Sequence, residues 1–209
     1  IHIYIVGGFV RDFIQGNINE TIDLDLVVDG NIDDFANNMS SSLGLKLRNV
    51  HGFANYKLSF ENSISVDVAH SRKESYPNPG TMPKWEKSNI DLDLFRRDFT
   101  INSIALEIYK TKFYLLDPLN GQMDLSKKII RIIHNRSFID DPTRIFRAIK
   151  YKCRLGFDYD IETKNIIQKS IENINRLSKY RKFNEMVKLI NEKNIINIIE
   201  ESNLPIYKN

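Results

Sequence analysis

Two carboxylates one residue apart, Asp23 and Asp25 on either side of Leu24, are the first residues of this chain whose types and spacing could do chemistry. On a β-strand alternate side chains point to one face, so Asp23-Leu24-Asp25 would set its two acids side by side. Adjacent carboxylates repel unless a cation lies between them, and hard oxygen ligands select Mg2+ or Mn2+. Two solvated acids at a strand start are the plainer reading. The residues before the pair favour chemistry. Gly7-Gly8 leads into Phe9-Val10-Arg11-Asp12, where paired glycines let a backbone approach phosphate oxygens and a helix start presents N–H groups. Arg11, one turn in, adds a charge suited to a triphosphate. A glycine-pair turn entering a helix, then two carboxylates on the next strand, is a layout for nucleotidyl transfer. Asp67 is either a third carboxylate beside the pair or a plain strand-end acid.

These groups need strands and helices to hold them. Apolar runs at 1–6 and 24–29 end at Gly7-Gly8 and Gly30, and runs at 56–60 and 63–68 flank Glu61-Asn62 as a hairpin. A further run at 129–133 predicts an added strand, and 9–15 and 33–43 carry helical spacing. From about Asp140 the character changes. Ile145, Ala148, Ile149 and Lys152 share one helix face, and 160–174 and 179–190 repeat that kind of spacing. The expected fold class is α+β, a mixed-sheet domain over residues 1–133 followed by an all-helical domain over 134–209. Residues 72–93 hold Pro77, Pro79, Gly80, Pro83 and the sole tryptophan, Trp85, without periodicity, and read as a mobile functional loop.

Composition sets the frame around these features. The chain has 209 residues, 42% hydrophobic and 27% charged, which excludes a disordered or membrane-embedded protein and allows one large domain or two small ones. Cys153 stands alone, so an internal disulfide or a multi-cysteine zinc site is excluded, and a reducing, cytoplasmic setting is expected. His2, His51, His70 and His134 are scattered without ligand spacing. The chain opens Ile-His-Ile-Tyr, so a piece of a longer protein is expected. The net charge of +3 divides unevenly. Residues 1–133 hold 15 Lys and Arg against 17 Asp and Glu, a net of −2; residues 134–209 hold 15 against 10, a net of +5. Different partners for the two halves are one reading, a chance imbalance the other.

Four motifs then occur in order. Gly7-Gly8-Phe9-Val10-Arg11-Asp12 with Asp23-Leu24-Asp25 resembles the first motif of class II tRNA nucleotidyltransferases and bacterial poly(A) polymerases. Arg96-Arg97-Asp98-Phe99-Thr100-Ile101-Asn102-Ser103-Ile104-Ala105 is similar to their second, the Asp117–Leu125 stretch to their third, and Asp140-Asp141-Pro142-Thr143-Arg144-Ile145-Phe146-Arg147-Ala148 to their fourth. The resemblance implies a polymerase-β-like head followed by a helical neck, with body and tail domains beyond. It implies that Asp23 and Asp25 hold two divalent ions, Mg2+ with Mn2+ as an alternative, and that Gly7, Gly8 and Arg11 meet the triphosphate of CTP or ATP. Arg97 would reach the nucleotide from a helix that Arg96 and Arg97 open, while Asp98, Thr100 and Asn102 cap that helix or bond the sugar. Asp141 and Arg144, three apart on one helix face, would imitate a Watson–Crick edge and select C and A, with Arg147 and Lys150 on the same face. An i, i+3 surface ion pair is the plain alternative for these two.

The chain departs from the pattern at Asp140, where the family has Glu, at Lys150-Tyr151, where it has Arg-Phe, and at Tyr180, where a fifth motif has Glu, leaving Arg181 and Glu185. The 74–84 text, with Tyr76 and three prolines, looks like a family loop thought to aid the CTP-to-ATP switch. The function implied is addition of C and/or A to tRNA 3′ ends, with A-only, CC-only and poly(A) addition as variants and a non-catalytic RNA-binding module as the rival. The implied partners are the tRNA 3′ end, CTP and ATP, with no DNA and no membrane.

Overall fold

The computed structural model describes residues 1–17, 22–50, 56–59 and 64–192. The chain forms two compact units interleaved along the sequence. The first comprises residues 1–74, 85–97 and 101–125; the second comprises 75–84, 98–100 and the described residues from 126 onward.

A seven-stranded mixed sheet organises the first unit. Its strands are β1 (His2–Val6), β2 (Ile22–Asp29), β3 (Lys46–Asn49), β4 (Tyr56–Ser59), β5 (Ile64–His70), and two from later in the chain, Ala105–Tyr109 and Lys112–Leu116. The order is β3-β4-β5-β2-β1, then these two in turn. The β2–β5 pair is parallel and the others antiparallel. Helix α1 (Gly8–Ile14) joins β1 to β2, and α2 (Ile32–Leu43) follows β2. Asn31 caps α2 by accepting from Asp33 N and Asp34 N, and Gly44 ends it in the left-handed region.

Both sheet faces carry a core, which is why Leu26, Val27 and Val28 are all buried. Leu26, Val28, Val66, Val68 and Leu58 pack with Ile32 of α2. On the opposite face Tyr4, Val6, Val27 and Ala105 pack with Ile90 and Leu94 of α3 (Ile90–Phe95). By alternation Asp23, Asp25 and Asp67 lie on the α3 face.

Residues 72–93 are ordered by pairing and not structureless as expected. They form a two-stranded ribbon, β6 (Arg72–Ser75) with β7 (Lys84–Lys87), and then enter α3. Its buried side chains are charged partners, Arg72 with Glu74 at 2.9 Å, so hydropathy shows no alternation. At six residues, α3 is too short to show a period. The hairpin of β8 (Ala105–Tyr109) and β9 (Lys112–Leu116) and the strand β3 also escaped the apolar-run reading, because β3 and β9 are largely exposed. The Glu61-Asn62 turn and His51 lie outside the described residues, although β4 and β5 pair antiparallel as a hairpin requires.

In the second unit the 129–133 run does not join the main sheet. Only β10 (Ile129–Ile130) is strand, and it pairs in parallel with β11 (Asp158–Tyr159), while Ile132 bridges to Phe99. After α4 (Gly121–Ser126), helices supply most of the rest: α5 (Ser137–Asp140), α6 (Thr143–Leu155), α7 (Ile161–Ser170) and α8 (Lys179–Ile190). The two-residue β11 is the departure from an all-helical segment. Phe99 is fully buried here, edge-on to Tyr151 with centroids 5.8 Å apart and tilted against Phe138 at 6.5 Å.

Candidate active site

Strand register builds the carboxylate row. Asp25 pairs with Asp67 across the parallel β2–β5 ladder, and Asp23 pairs with Ser65. The Ser65 hydroxyl donates to Asp23 Oδ1. Lys57 sits opposite Asp67 on β4 with its ammonium 3.1 Å from Oδ1, an ion-pair contact outside hydrogen-bond geometry. Asp25 opens to solvent, yet the protein atoms packed round its carboxyl raise its pKa; Arg97 and Lys57 pull it down, and Asp23 and Asp67 push it further up.

Gly7 belongs to the same place. Val6 pairs with Asp25, which brings the turn after β1 against the carboxylate. Gly7 has φ +76°, and a Cβ there would lie 3.0 Å from Asp25 Oδ2 and 3.5 Å from Arg97 Nη1. Only glycine satisfies both the backbone and the space. At Gly8 a Cβ would make an ordinary 3.6 Å contact with Arg11 Nη2, so sterics do not demand glycine there. Arg11 is buried; it grips Asp12 from Nε at 2.8 Å and Nη2 at 3.0 Å, and donates from Nη1 to Asn102 Oδ1 at 2.9 Å. The structure thus joins Arg11 to Asn102, the first motif to the second.

Arg96 and Arg97 close α3 instead of opening a helix, because Asn89 starts α3 earlier and the next turn, Thr100–Asn102, is a single 3-10 turn. Their organiser is Asp93, a residue that the motif reading passed over. It is fully buried and accepts from Arg97 Nη2 at 2.8 Å, Arg96 Nη2 at 2.8 Å and Arg72 N at 3.2 Å. Burial pushes the Asp93 carboxyl up, but Arg97 and Arg96 outweigh it and hold it below the usual carboxylate range. Its i, i+3 and i+4 spacing to Arg96 and Arg97 was the signal available in the sequence. Among the described residues, Arg97 Nε is buried without a hydrogen-bond partner.

The donor set suits a hard divalent ion. Among the described residues no group of three or more His, Cys, Asp or Glu is placed to hold a metal. A Mg2+ site needs no such cage, since one or two carboxylates complete their shell with water and substrate phosphate oxygens. Asp23 and Asp25 offer that, next to a backbone kept open by Gly7.

Apart from the third motif, which belongs to the first unit, the remaining expected residues lie in the second unit. Asp98 accepts from its neighbour Phe99 N at 2.9 Å and from Arg147 Nε at 2.6 Å. Asp98 raises the Arg147 pKa further still, and Arg147 Nη2 donates to Tyr151 OH at 3.2 Å. Burial and the charges of Arg147 and Arg154 push Lys150 down to about 8. Asp141 and Arg144 do not share a helix face. Helix α6 starts at Thr143, so Asp141 stands before it, accepting from Thr143 N and Oγ1, while buried Arg144 donates to Ser137 Oγ at 2.8 Å. Pro142 after Asp141 disfavours helical backbone there, which spacing alone could not reveal. In the third motif Asp117 accepts from Gly121 N and Gln122 N, a cap on α4.

The sequence profile described as Poly A polymerase head domain matches residues 3–131. The chain belongs to this family. An A-adding tRNA nucleotidyltransferase of Geobacter sulfurreducens is 38% identical over 200 residues, covering 94% of this chain and 22% of that protein. A CC-adding tRNA nucleotidyltransferase of Deinococcus radiodurans is 34% identical over 152 residues, 72% of this chain and 40% of that protein. A solved CCA-adding enzyme in an apo form superposes with a TM-score of 0.90 at 35% identity, over 99% of this chain and 49% of that one. The chain therefore spans half or less of the length of these relatives. The head-domain match contains the carboxylate row, Gly7, Arg11, Arg97 and Asn102.

Proposed function

We propose that this chain carries the catalytic head and nucleotide-selecting neck of an enzyme that adds C and/or A from CTP or ATP to tRNA 3′ ends without a nucleic-acid template, releasing pyrophosphate. The observation that carries the reading is the in-register pair of Asp25 and Asp67 on parallel strands, with Asp23 two residues away and Gly7 against Asp25. Asp23 and Asp25 are the residues that would hold two divalent ions, which when bound neutralise triphosphate charge and acidify the attacking hydroxyl. Gly7 leaves backbone space for the triphosphate. Arg97, held by Asp93, sets a guanidinium beside it, and Arg11 fastens that turn to Asn102. Such a site works by positioning and charge complementarity, with no covalent nucleophile. In the second unit Asp141 supplies an acceptor and Arg144 donors for a base edge, and Arg147 and Lys150 add positive charge.

A-only addition is the second reading, supported by the A-adding name of the 38% identical relative. One assay tests both. The full-length protein is incubated with Mg2+, labelled CTP or ATP, and tRNA ending in N, C or CC. Incorporation of both nucleotides is expected for complete CCA addition; ATP on tRNA-CC alone points to A-only addition. No incorporation of either on any substrate refutes the enzyme reading and leaves a non-catalytic RNA-binding module.

A further inference from the structure

Among the described residues, every hydrogen bond of the Asp141 side chain converges on one oxygen. Oδ1 accepts from Thr143 N at 3.1 Å and Thr143 Oγ1 at 2.7 Å, both supplied by the first turn of α6. Its third donor comes from forty residues along the chain, Arg181 Nη2 at 2.9 Å. Among the described residues Oδ2 accepts no hydrogen bond.

The same guanidinium reaches a second partner. Arg181 Nη1 donates to the Gly80 carbonyl at 2.8 Å, and Gly80 N donates to the Asp140 carbonyl at 3.2 Å. Both backbone groups of Gly80 are therefore tied to the Asp140–Asp141 corner, one directly and one through Arg181. Gly80 has φ +75°, and a Cβ there would come within 2.9 Å of the Arg176 Cβ, so no other residue seats this segment in the same way. The Ser178 hydroxyl caps α8 by accepting from Arg181 N at 3.3 Å, which fixes where the Arg181 side chain begins.

We propose that Arg181 is a positioning residue for nucleotide choice. Its planar fork spans Gly80 and Asp141, and its bond to Oδ1 joins those of Thr143 to fix the carboxylate plane, leaving Oδ2 as the acceptor offered to an incoming base. Cytosine and adenine each present an exocyclic amino donor to such an oxygen, whereas guanine O6 and uracil O4 present acceptors that it repels. A swinging carboxylate would lose that distinction. The two-partner geometry needs a guanidinium, since an ammonium on a lysine stem is a point donor. The inference rests on the reading of Asp141 as a base-selecting group, and it adds that the 75–84 segment and Asp141 share one tether.

The test compares the full-length protein with Arg181→Ala, Arg181→Lys and Arg181→Gln, using tRNA lacking its 3′ terminal residues and each of the four nucleoside triphosphates. Arg181→Ala is expected to reduce the kcat/KM preference for the accepted nucleotide over GTP and UTP by about tenfold or more, chiefly through KM, the size expected when one charge-assisted hydrogen bond is removed. Arg181→Lys falls between, and hydrogen exchange at the Gly80 amide quickens in step. Full discrimination by Arg181→Ala overturns the proposal even if Gly80 exchange quickens, because the tether then has no bearing on Asp141. Should Arg181→Ala not fold, Arg181→Gln decides by the same ratio. An unsubstituted protein inert with every nucleotide is a different outcome, one that removes the nucleotidyl-transfer reading and this proposal with it.

Discussion

Asp25, open to solvent, and Asp93, fully buried, lie within one unit, and their surroundings drive their carboxyls in opposite directions. For Asp25, crowding and the neighbouring acids raise the folded pKa. A raised carboxylate binds its proton more tightly folded than unfolded, so its cost is absent below the unfolded pKa and complete above the folded one. Asp25→Asn is therefore expected to abolish nucleotide addition yet raise the melting temperature at pH 7, by about 2–4 °C for each kcal/mol relieved. Added Mg2+ should raise the melting temperature of the unsubstituted protein and not that of the variant. A variant that melts lower at pH 7 would contradict the electrostatic account. Asp93 has the opposite sign. Its folded pKa is depressed by Arg97 and Arg96, so its stabilisation is present above the unfolded value of about 4 and is lost as pH falls through the folded one. Asp93→Ala should cost about 3–5 kcal/mol at pH 7, because two arginines lose their buried partner. Urea titrations at pH 7 and pH 3 should show that cost shrinking in acid.

At the scale of elements, short segments are fastened by single large side chains. Phe99 sits between Phe138 before α6 and Tyr151 within it. Phe99→Ala is expected to cost about 3–5 kcal/mol in a urea unfolding experiment, the usual penalty for deleting a fully buried aromatic. The elements that sequence patterns revealed were those with long apolar character: β1, β2, α2, α6 and α8 fall where periodicity sets them. The ribbon β6–β7 stayed hidden because its buried members are Arg72 and Glu74, neutralised by one another and not by apolar packing. The same masking hid Asp93, whose burial is invisible until Arg72, Arg96 and Arg97 are brought round it. Spacing likewise put Asp141 on the helix with Arg144, while the local backbone starts α6 two residues later.

Across the whole chain the modest net charge of +3 divides into −2 before residue 134 and +5 after it. The front portion holds the carboxylate row, and the rear portion holds Arg147, Lys150, Arg154 and Lys188, charges close enough to depress Lys150. RNA binding by the full-length protein is therefore expected to weaken with salt. Replacing Lys150 and Lys188 with Gln should lower the slope of log K against log salt by about 0.7 for each single-strand phosphate that these lysines neutralise. A slope unchanged by the double substitution would show that these lysines meet no phosphate. Lys150, with a pKa near 8, should also lose its share of binding as pH rises past that value, a trend the Lys150→Gln protein would lack.

The sequence by itself determined the motifs and their order, the strand placement of Asp23 and Asp25, and the need for a turn at Gly7, because those properties are local: residue type, alternation along a strand and backbone freedom. Tertiary structure alone decided that Asp67 stands in register with Asp25, that Asp93 collects Arg96 and Arg97, and that Arg181 reaches back to Gly80 and Asp141. Register between strands far apart in the chain, and the partner found by a buried charge, follow from how elements pack, and no spacing along the chain encodes them.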